Sequence, residues 1–382
     1  MKLKELNFTA DERTQIKKYI QQINQNISKQ DMTPLERMNL VINHKKPDRV
    51  PVCLSSMEHT SRSIGASVKD VMTNPKKAIL ADLGTLFMYA CDSICSAYAE
   101  PHVIGTEEMG TKVFYPENSS PVLKDFALKN LEDIEKLEIP DPYKDGKLPM
   151  VLQIIEFLRD KIGDQIPIWQ CLSGPFGYAG DLRGYTQLMR DLKQDPLMVH
   201  ALMEFCTEVA VTLAKAVQTA GAVPWPFDAL SSPEYIGRNR YFDLVYPYQK
   251  KMVQRLTPPG TMLGIDGNVG DIIDEYADTR ALAIHVDAGL NLMGLKGPNL
   301  SDVAEFKRRI GQKTTLLVQY IKIPHLRKGT SEEMKKLINE VMSLLAPGES
   351  FILETDVIPL DIPEQNLKNI MELAQIYGKY KI

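Results

Sequence analysis

The feature that most restricts how this chain can fold is an alternation. Short apolar runs, each about the length of one strand, are separated by stretches long enough for a helix. The runs are PVCLS from Pro51, LFMYACDSI at 86–94, PIWQCL at 167–172, AVPWPF at 222–227, TMLGI at 261–265, ALAIHV at 281–286, LLVQYI at 316–321 and FILE at 351–354. Continuous apolar runs of this length fit strands buried on both faces, which is what a parallel sheet covered by helices requires. The intervening helices announce themselves by their caps. Asp195 and Pro196 open PLMVHALMEFCTEVAVTLAKAVQT, and Gly221 ends it. Thr330 to Glu333 forms a capping box before MKKLINEVMSLL, which stops at Pro347-Gly348. About eight strand-like runs alternating with helices predict a closed (β/α)8 TIM barrel, an α/β fold. An open doubly wound sheet is the alternative, but no Gly-x-Gly-x-x-Gly follows a strand and no Gly-x-x-x-x-Gly-Lys-Ser/Thr occurs.

Outside this frame, residues 1–32 read as a helical arm, with Ile16, Ile20, Ile23 and Ile27 at helical spacing, and 33–382 as the barrel. The arm could serve a homodimer. Residues 106–148 read as a turn-rich, hairpin-like elaboration. The 45 basic and 49 acidic residues are spread along the chain, so no basic face for nucleic acid or anionic lipid is expected. No uninterrupted apolar run reaches the roughly 18 residues of a membrane span, and the first residues lack a secretory apolar segment, so a cytoplasmic location is expected. Five scattered cysteines argue against a disulfide framework; Cys91 and Cys95 are read as packing residues.

Several segments, in order, resemble the uroporphyrinogen decarboxylase superfamily: TPLERMNLVINHKKPDRVPV at 33–52, EEMGTKVFYP at 107–116, SGPFGYAGDLRGYTQLMRDLKQDPLMV at 173–199, IDGNVGDII at 265–273, KGTSEEMKKLINEVMSLLAPGESFIL at 328–353 and IPLDIPEQNLKNIMELAQIYG at 358–378. The resemblance implies a (β/α)8 barrel with its active site at the C-terminal ends of the strands. It also shows departures. The decarboxylases' arginine-rich loop corresponds to CLSSMEHTSRSIG at 53–65, where only Arg62 remains; their aspartate aligns with Ala99, and their late histidine with Asp356. The coenzyme M methyltransferases hold zinc with His-x-Cys and a later Cys, and here those places are Gly264, Asp266 and Asp356. What the resemblance then implies is a methyl donor:corrinoid methyltransferase of the O-demethylase type, acting on a small donor such as a methoxyaromatic. No Asp-x-His-x-x-Gly cobalamin motif is present, so the corrinoid would be supplied by a partner protein. Alternatives are a lyase acting on a small carboxylic acid and a catalytically lapsed, ligand-binding barrel.

The candidate site residues lie at strand ends. Asp266 and Asp356 are expected to share one cavity, where two carboxylates either share a proton, one acting as acid, or bind a divalent metal. Capping or pairing with arginine is the ordinary alternative. Asp228 follows the run at 222–227 and is a third catalytic candidate, or a turn cap. His285 and Asp287 lie on one side of their strand; Asp287 is the better substrate contact and His285 the better core histidine. His59 sits on the loop after the first strand. Tyr178 and Trp225, among Gly and Pro, are expected as aromatic walls for a flat donor, although barrel cores use such residues too. Arg183 could anchor an anion or form a salt bridge.

Overall fold

A computed structural model of the chain describes residues 6–380 apart from 97, 99, 259 and 291–295. Among the described residues, ten strands form two sheets. They are β1 (Val52–Cys53), β2 (Ile94–Cys95), β3 (Lys112–Phe114), β4 (Val122–Asp125), β5 (Ile168–Ser173), β6 (Val223–Asp228), β7 (Met262–Ile265), β8 (Ala283–Asp287), β9 (Thr315–Ile321) and β10 (Phe351–Thr355). The large sheet has the order β1-β10-β9-β8-β7-β6-β5-β2, with every pair parallel. This is a (β/α)8 barrel closed except at one seam, between β1 and β2.

A single carboxylate bridges that seam. Asp92, just before β2, donates its N–H to the Val52 carbonyl (3.0 Å) and accepts the Val52 N–H on its side chain (2.8 Å). It also accepts from Arg37 (2.7 Å) and from both terminal nitrogens of Arg49 (2.6 and 2.9 Å), while Arg37 forks onto Asp48 (two contacts of 2.7 Å). Arg37 and Asp92 are fully buried. The charges therefore satisfy one another where water cannot.

The barrel interior is filled by alternate residues of the strands, among them Cys53, Trp169, Cys171, Trp225, Met262, Leu317 and Ile352. One end is plugged by the helix Pro34–Ile42, which has a Thr33–Glu36 capping box and adds Met38 and Val41 to that core. The Thr315 hydroxyl donates to the Val41 carbonyl (3.0 Å), pinning the plug at the start of β9. The opposite, C-terminal end of the strands is left to form a cavity.

One sequence expectation needs correction, and one helix needs an account of its composition. The run 86–94 is not one strand: Leu86 to Tyr89 end the helix Pro75–Tyr89, and only Ile94–Cys95 enters the barrel. A helix buried on several sides is apolar all round and loses the period that would mark it. Secondly, the helix Pro196–Ala220 is long and apolar enough to cross a membrane by composition. Here it packs against the barrel, with Val199, Leu202, Cys206, Val209, Leu213 and Val217 buried, which accounts for its apolarity. Its caps are those the sequence indicates: Asp195 accepts the Met198 N–H, and Gly221 takes the left-handed conformation at φ 109°.

The N-terminal helix Ala10–Ile27 lies along the barrel's flank. Ile16, Tyr19, Ile23 and Ile27 are buried, with the Tyr19 ring 5.2 Å from that of Phe87. β3 and β4 form a hairpin outside the barrel. The loop that joins them is tied to the mouth by Ser120, whose hydroxyl lies 2.8 Å from a Glu58 oxygen and 2.5 Å from a Glu100 oxygen. One hydroxyl proton cannot serve two carboxylates at once, and burial pushes the Glu100 carboxyl above its usual range, which favours its protonated form beside Ser120.

Candidate active site

At the open end of the strands lies a cavity of about 310 Å³. Strand alternation decides what faces it. On β6, Trp225 and Phe227 line it; on β8, His285 and Asp287; on β10, Glu354 and Asp356, the latter one residue past the strand. Asp266 follows β7 directly and lines it as well. Trp169 from β5 completes an aromatic side, its ring edge-on to Trp225 with centroids 5.9 Å apart. The structure thus brings Asp266, Asp287, Asp356 and Trp225 into one cavity.

The acidic side has a single buried ammonium beside it. Lys322, the residue after β9, places Nζ 2.5 Å from Asp287 Oδ1, with both side chains almost fully enclosed. Burial first, then repulsion from Asp287, pushes the Asp266 carboxyl up to about 7; Lys322 opposes this and Asp356 adds to it. Asp356 is raised by burial, with Lys322 opposing and Asp287 adding. Glu354 is driven well above the usual carboxyl range by burial and then by Asp356, and its Oε2 has no hydrogen-bond partner among the described residues. On the far wall Asp181 is pushed up to about 8, chiefly by burial, while the Ser173 hydroxyl donates to it (2.6 Å). Several of these carboxyl groups therefore hold protons near neutral pH. His285 is kept neutral by burial, and the Ile265 carbonyl, 3.1 Å from Nδ1, accepts from that nitrogen and assigns its proton there.

Other sequence candidates fall elsewhere. Asp228 sits behind the wall: it accepts the Gly177 N–H (2.8 Å) and a Gln249 side-chain N–H (2.8 Å), so it fastens the start of helix Pro175–Arg183. Tyr178 is not a wall residue; it is wholly buried in the packing core and donates its hydroxyl to the Ile104 carbonyl (2.9 Å). His59 likewise does not reach the cavity, because Tyr89 (2.9 Å) and the Pro359 carbonyl (3.2 Å) hold its two nitrogens. Arg62 donates to the Leu360 carbonyl, Arg183 is paired with Asp191 (2.6 Å), and neither lines the cavity. Ala99 lies outside the described residues. Sequence reading missed Glu354, Asp181, Glu100 and Lys322. Only Glu354 carried a usable signal, its same-side spacing with Asp356.

A zinc site of the methyltransferase type does not fit these residues. Gly264 has no side chain, and a Cβ there would fall 2.0 Å from Phe227 Cδ2, so the aromatic ring fills the place a histidine would need. Asp266 and Asp356 supply hard oxygens instead of thiolates. Among the described residues no three His, Cys, Asp or Glu side chains converge as a metal shell. Gly264→Ala is expected to displace Phe227 and cost about 1–3 kcal/mol, as overpacked cores do; urea denaturation would measure it, and restoration by Gly264→Ala with Phe227→Leu would identify the clash as the cause.

Comparison with known proteins agrees with this architecture. A methylcobamide:CoM methyltransferase, MtbA, from Methanosarcina acetivorans is 28% identical over 357 residues, covering 91% of this chain and 99% of that protein. MtaA, a methylcobamide:CoM methyltransferase of Methanosarcina barkeri, is 24% identical with the same coverage. A uroporphyrinogen decarboxylase from Trichlorobacter lovleyi is 27% identical over 285 residues, 70% of this chain and 75% of that one. Among solved structures, a methyltransferase from Methanosarcina mazei superposes with a TM-score of 0.78 at 21% identity over 91% of this chain and 99% of its own, a likeness of fold. The uroporphyrinogen decarboxylase (URO-D) family model matches residues 33–377, nearly the whole barrel, and the chain belongs to that family.

Proposed function

We propose that this chain is a methyltransferase that moves a methyl group from a small donor to the corrinoid of a separate protein, as an O-demethylase acting on a methoxyaromatic. The transfer class is supported by the methylcobamide:CoM methyltransferases that align over almost their whole length. The donor class is supported by one observation above all: Asp266, whose carboxyl is pushed up to about 7 by burial, stands in a cavity walled by Trp169, Trp225 and Phe227. The aromatic side suits a flat ring, and the acid suits an oxygen leaving group. As the methyl carbon passes to cobalt(I), the carbon–oxygen bond breaks and its electron pair stays on oxygen. A proton from Asp266 turns the departing phenolate into a phenol, leaving Asp266 ionised within reach of the Lys322 charge. The corrinoid is a co-substrate here, brought by its own protein to the open end of the barrel. We assign the reaction to the cytoplasm, where the five unpaired cysteines would stay reduced.

A decarboxylating lyase would need cationic groups free to hold a carboxylate, and both arginines considered for that role are engaged elsewhere. The test is anaerobic mixing of purified protein, photoreduced cob(I)alamin and a panel of methoxyaromatics and methylamines, followed in the visible spectrum. Methylcobalamin formed with methoxyaromatics is the expected result. Transfer from methylamines alone would overturn the donor assignment, and no transfer from any donor, with a corrinoid protein also present, would overturn the reaction class.

A further inference from the structure

We infer that Lys322 is the resident cation of this site, beside the two aspartates that take the places of zinc ligands, and that the protein activates oxygen leaving groups and leaves thiols unactivated. This inference deepens the proposed methyl transfer and rests on it for the word "leaving".

Three observations carry it. The first is position. Lys322 follows β9, between β8, which carries Asp287, and β10, which carries Glu354 and leads into Asp356. Its ammonium is 2.5 Å from Asp287 and close enough to act electrostatically on Asp266, Glu354 and Asp356. One charge thus pairs with one carboxylate and acts through space on those of two further strand ends, a task elsewhere given to a divalent ion. The second is exclusion. The Phe227 ring occupies the space beside Gly264, and a metal entering the carboxylate cluster would have to expel a lysine that is only 7% exposed. The third is unused hydrogen-bonding capacity: among the described residues Glu354 Oε2 is buried without a hydrogen-bond partner, so the cluster as built has carboxyl capacity beyond what one ammonium satisfies.

The chemistry follows from what an ammonium can do. It donates hydrogen bonds and stabilises an ionised carboxylate, so it can replenish or balance a proton donor. It does not bind sulfur as zinc binds a thiolate, and so gives no route to a metal-lowered thiol pKa. An ether oxygen that leaves as a hydroxyl needs only a proton. A thiol acceptor needs its proton removed, and burial holds Asp266, Glu354 and Asp356 toward their protonated forms.

The test is metal binding, read independently of turnover. Wild-type protein purified without chelator is expected to contain well under one zinc per chain by elemental analysis, and to show no stoichiometric Mn²⁺ or Zn²⁺ uptake at the cavity by calorimetry. Removing the ammonium in Lys322→Ala should let the carboxylates take a divalent ion at least tenfold more tightly than wild type, and adding Asp287→Asn should abolish that gain. Lys322→Arg, which keeps the charge, should remain metal-free and folded by circular dichroism. Wild type supplied with methylcobalamin and 2-mercaptoethanol should form no thioether above the protein-free rate. One tightly bound zinc per wild-type chain would overturn the inference, and so would rapid thioether formation or a folded Lys322→Ala protein that binds Mn²⁺ no better than wild type. Failure of the donor panel would instead strike the methyl-transfer reading, since the metal counts do not depend on it.

Discussion

Asp266→Asn is expected to lower the rate of methyl transfer by about 10²–10⁴, the usual worth of a positioned general acid, with little change in donor affinity. Asn has the shape of the acid form but no proton to give. The pH profile separates this from a structural defect. With its carboxyl pushed up to about 7, the wild-type rate should be level at lower pH and fall about tenfold per unit above that value, while the residual rate of the variant should lack this limb. The groups acting on Asp266 are Asp287, Asp356 and Lys322, so the limb should move with Lys322→Met, toward higher pH, because a cation favouring the ionised form is gone. Stability should move the other way. The native protein binds a proton at Asp266 that the unfolded chain releases nearer 3.8, so stability is fully present below that value and declines as pH rises through about 7. Melting at pH 8 should therefore be higher for Asp266→Asn than for wild type. A variant that loses activity and also melts lower at pH 8 would count against the acid role.

The largest stability effect is expected far from the cavity, at the seam. Asp92→Ala would leave Arg49 and one side of Arg37 buried without their carboxylate and the Val52 N–H without its acceptor. Breaking a buried ion pair by removing one partner typically costs about 3–5 kcal/mol, a large part of the roughly 5–15 kcal/mol that holds most domains together. The Arg37–Asp48 contact remains, so the loss should stay short of complete unfolding at low temperature. Urea denaturation checks the magnitude. Hydrogen exchange should show the added opening concentrated at the amides of Val52 and Asp92, where the barrel has no strand ladder to keep it closed.

How much of this was legible beforehand depends on how local each cause is. The caps at Thr33, Asp195 and Thr330 were readable because their hydrogen bonds span only three residues. Asp266 and Asp356 could be found because each follows an apolar run at a place where the family resemblance puts a site group, and Asp287 because period-two alternation sets it on the same side of its strand as His285. Asp92 gave no such sign: its partners are 40, 43 and 55 residues away in sequence. Lys322 ends an apolar run as lysines often do on surfaces, and only the packing of β8, β9 and β10 turns it inward. His59 and Tyr178 have residue types that suit a site, yet distant partners at Pro359 and Ile104 draw them into the core.

The pairing of Trp169 with Trp225 has a practical consequence. These are the only two tryptophans in the chain, and both border the cavity, so all of the protein's indole fluorescence originates at the place where a donor would bind. Excited at the red edge of indole absorption, the unlabelled protein is its own optical sensor: a flat ligand stacking there should quench or shift the whole emission, and titrating candidate donors against that signal would rank them by affinity before any corrinoid is added.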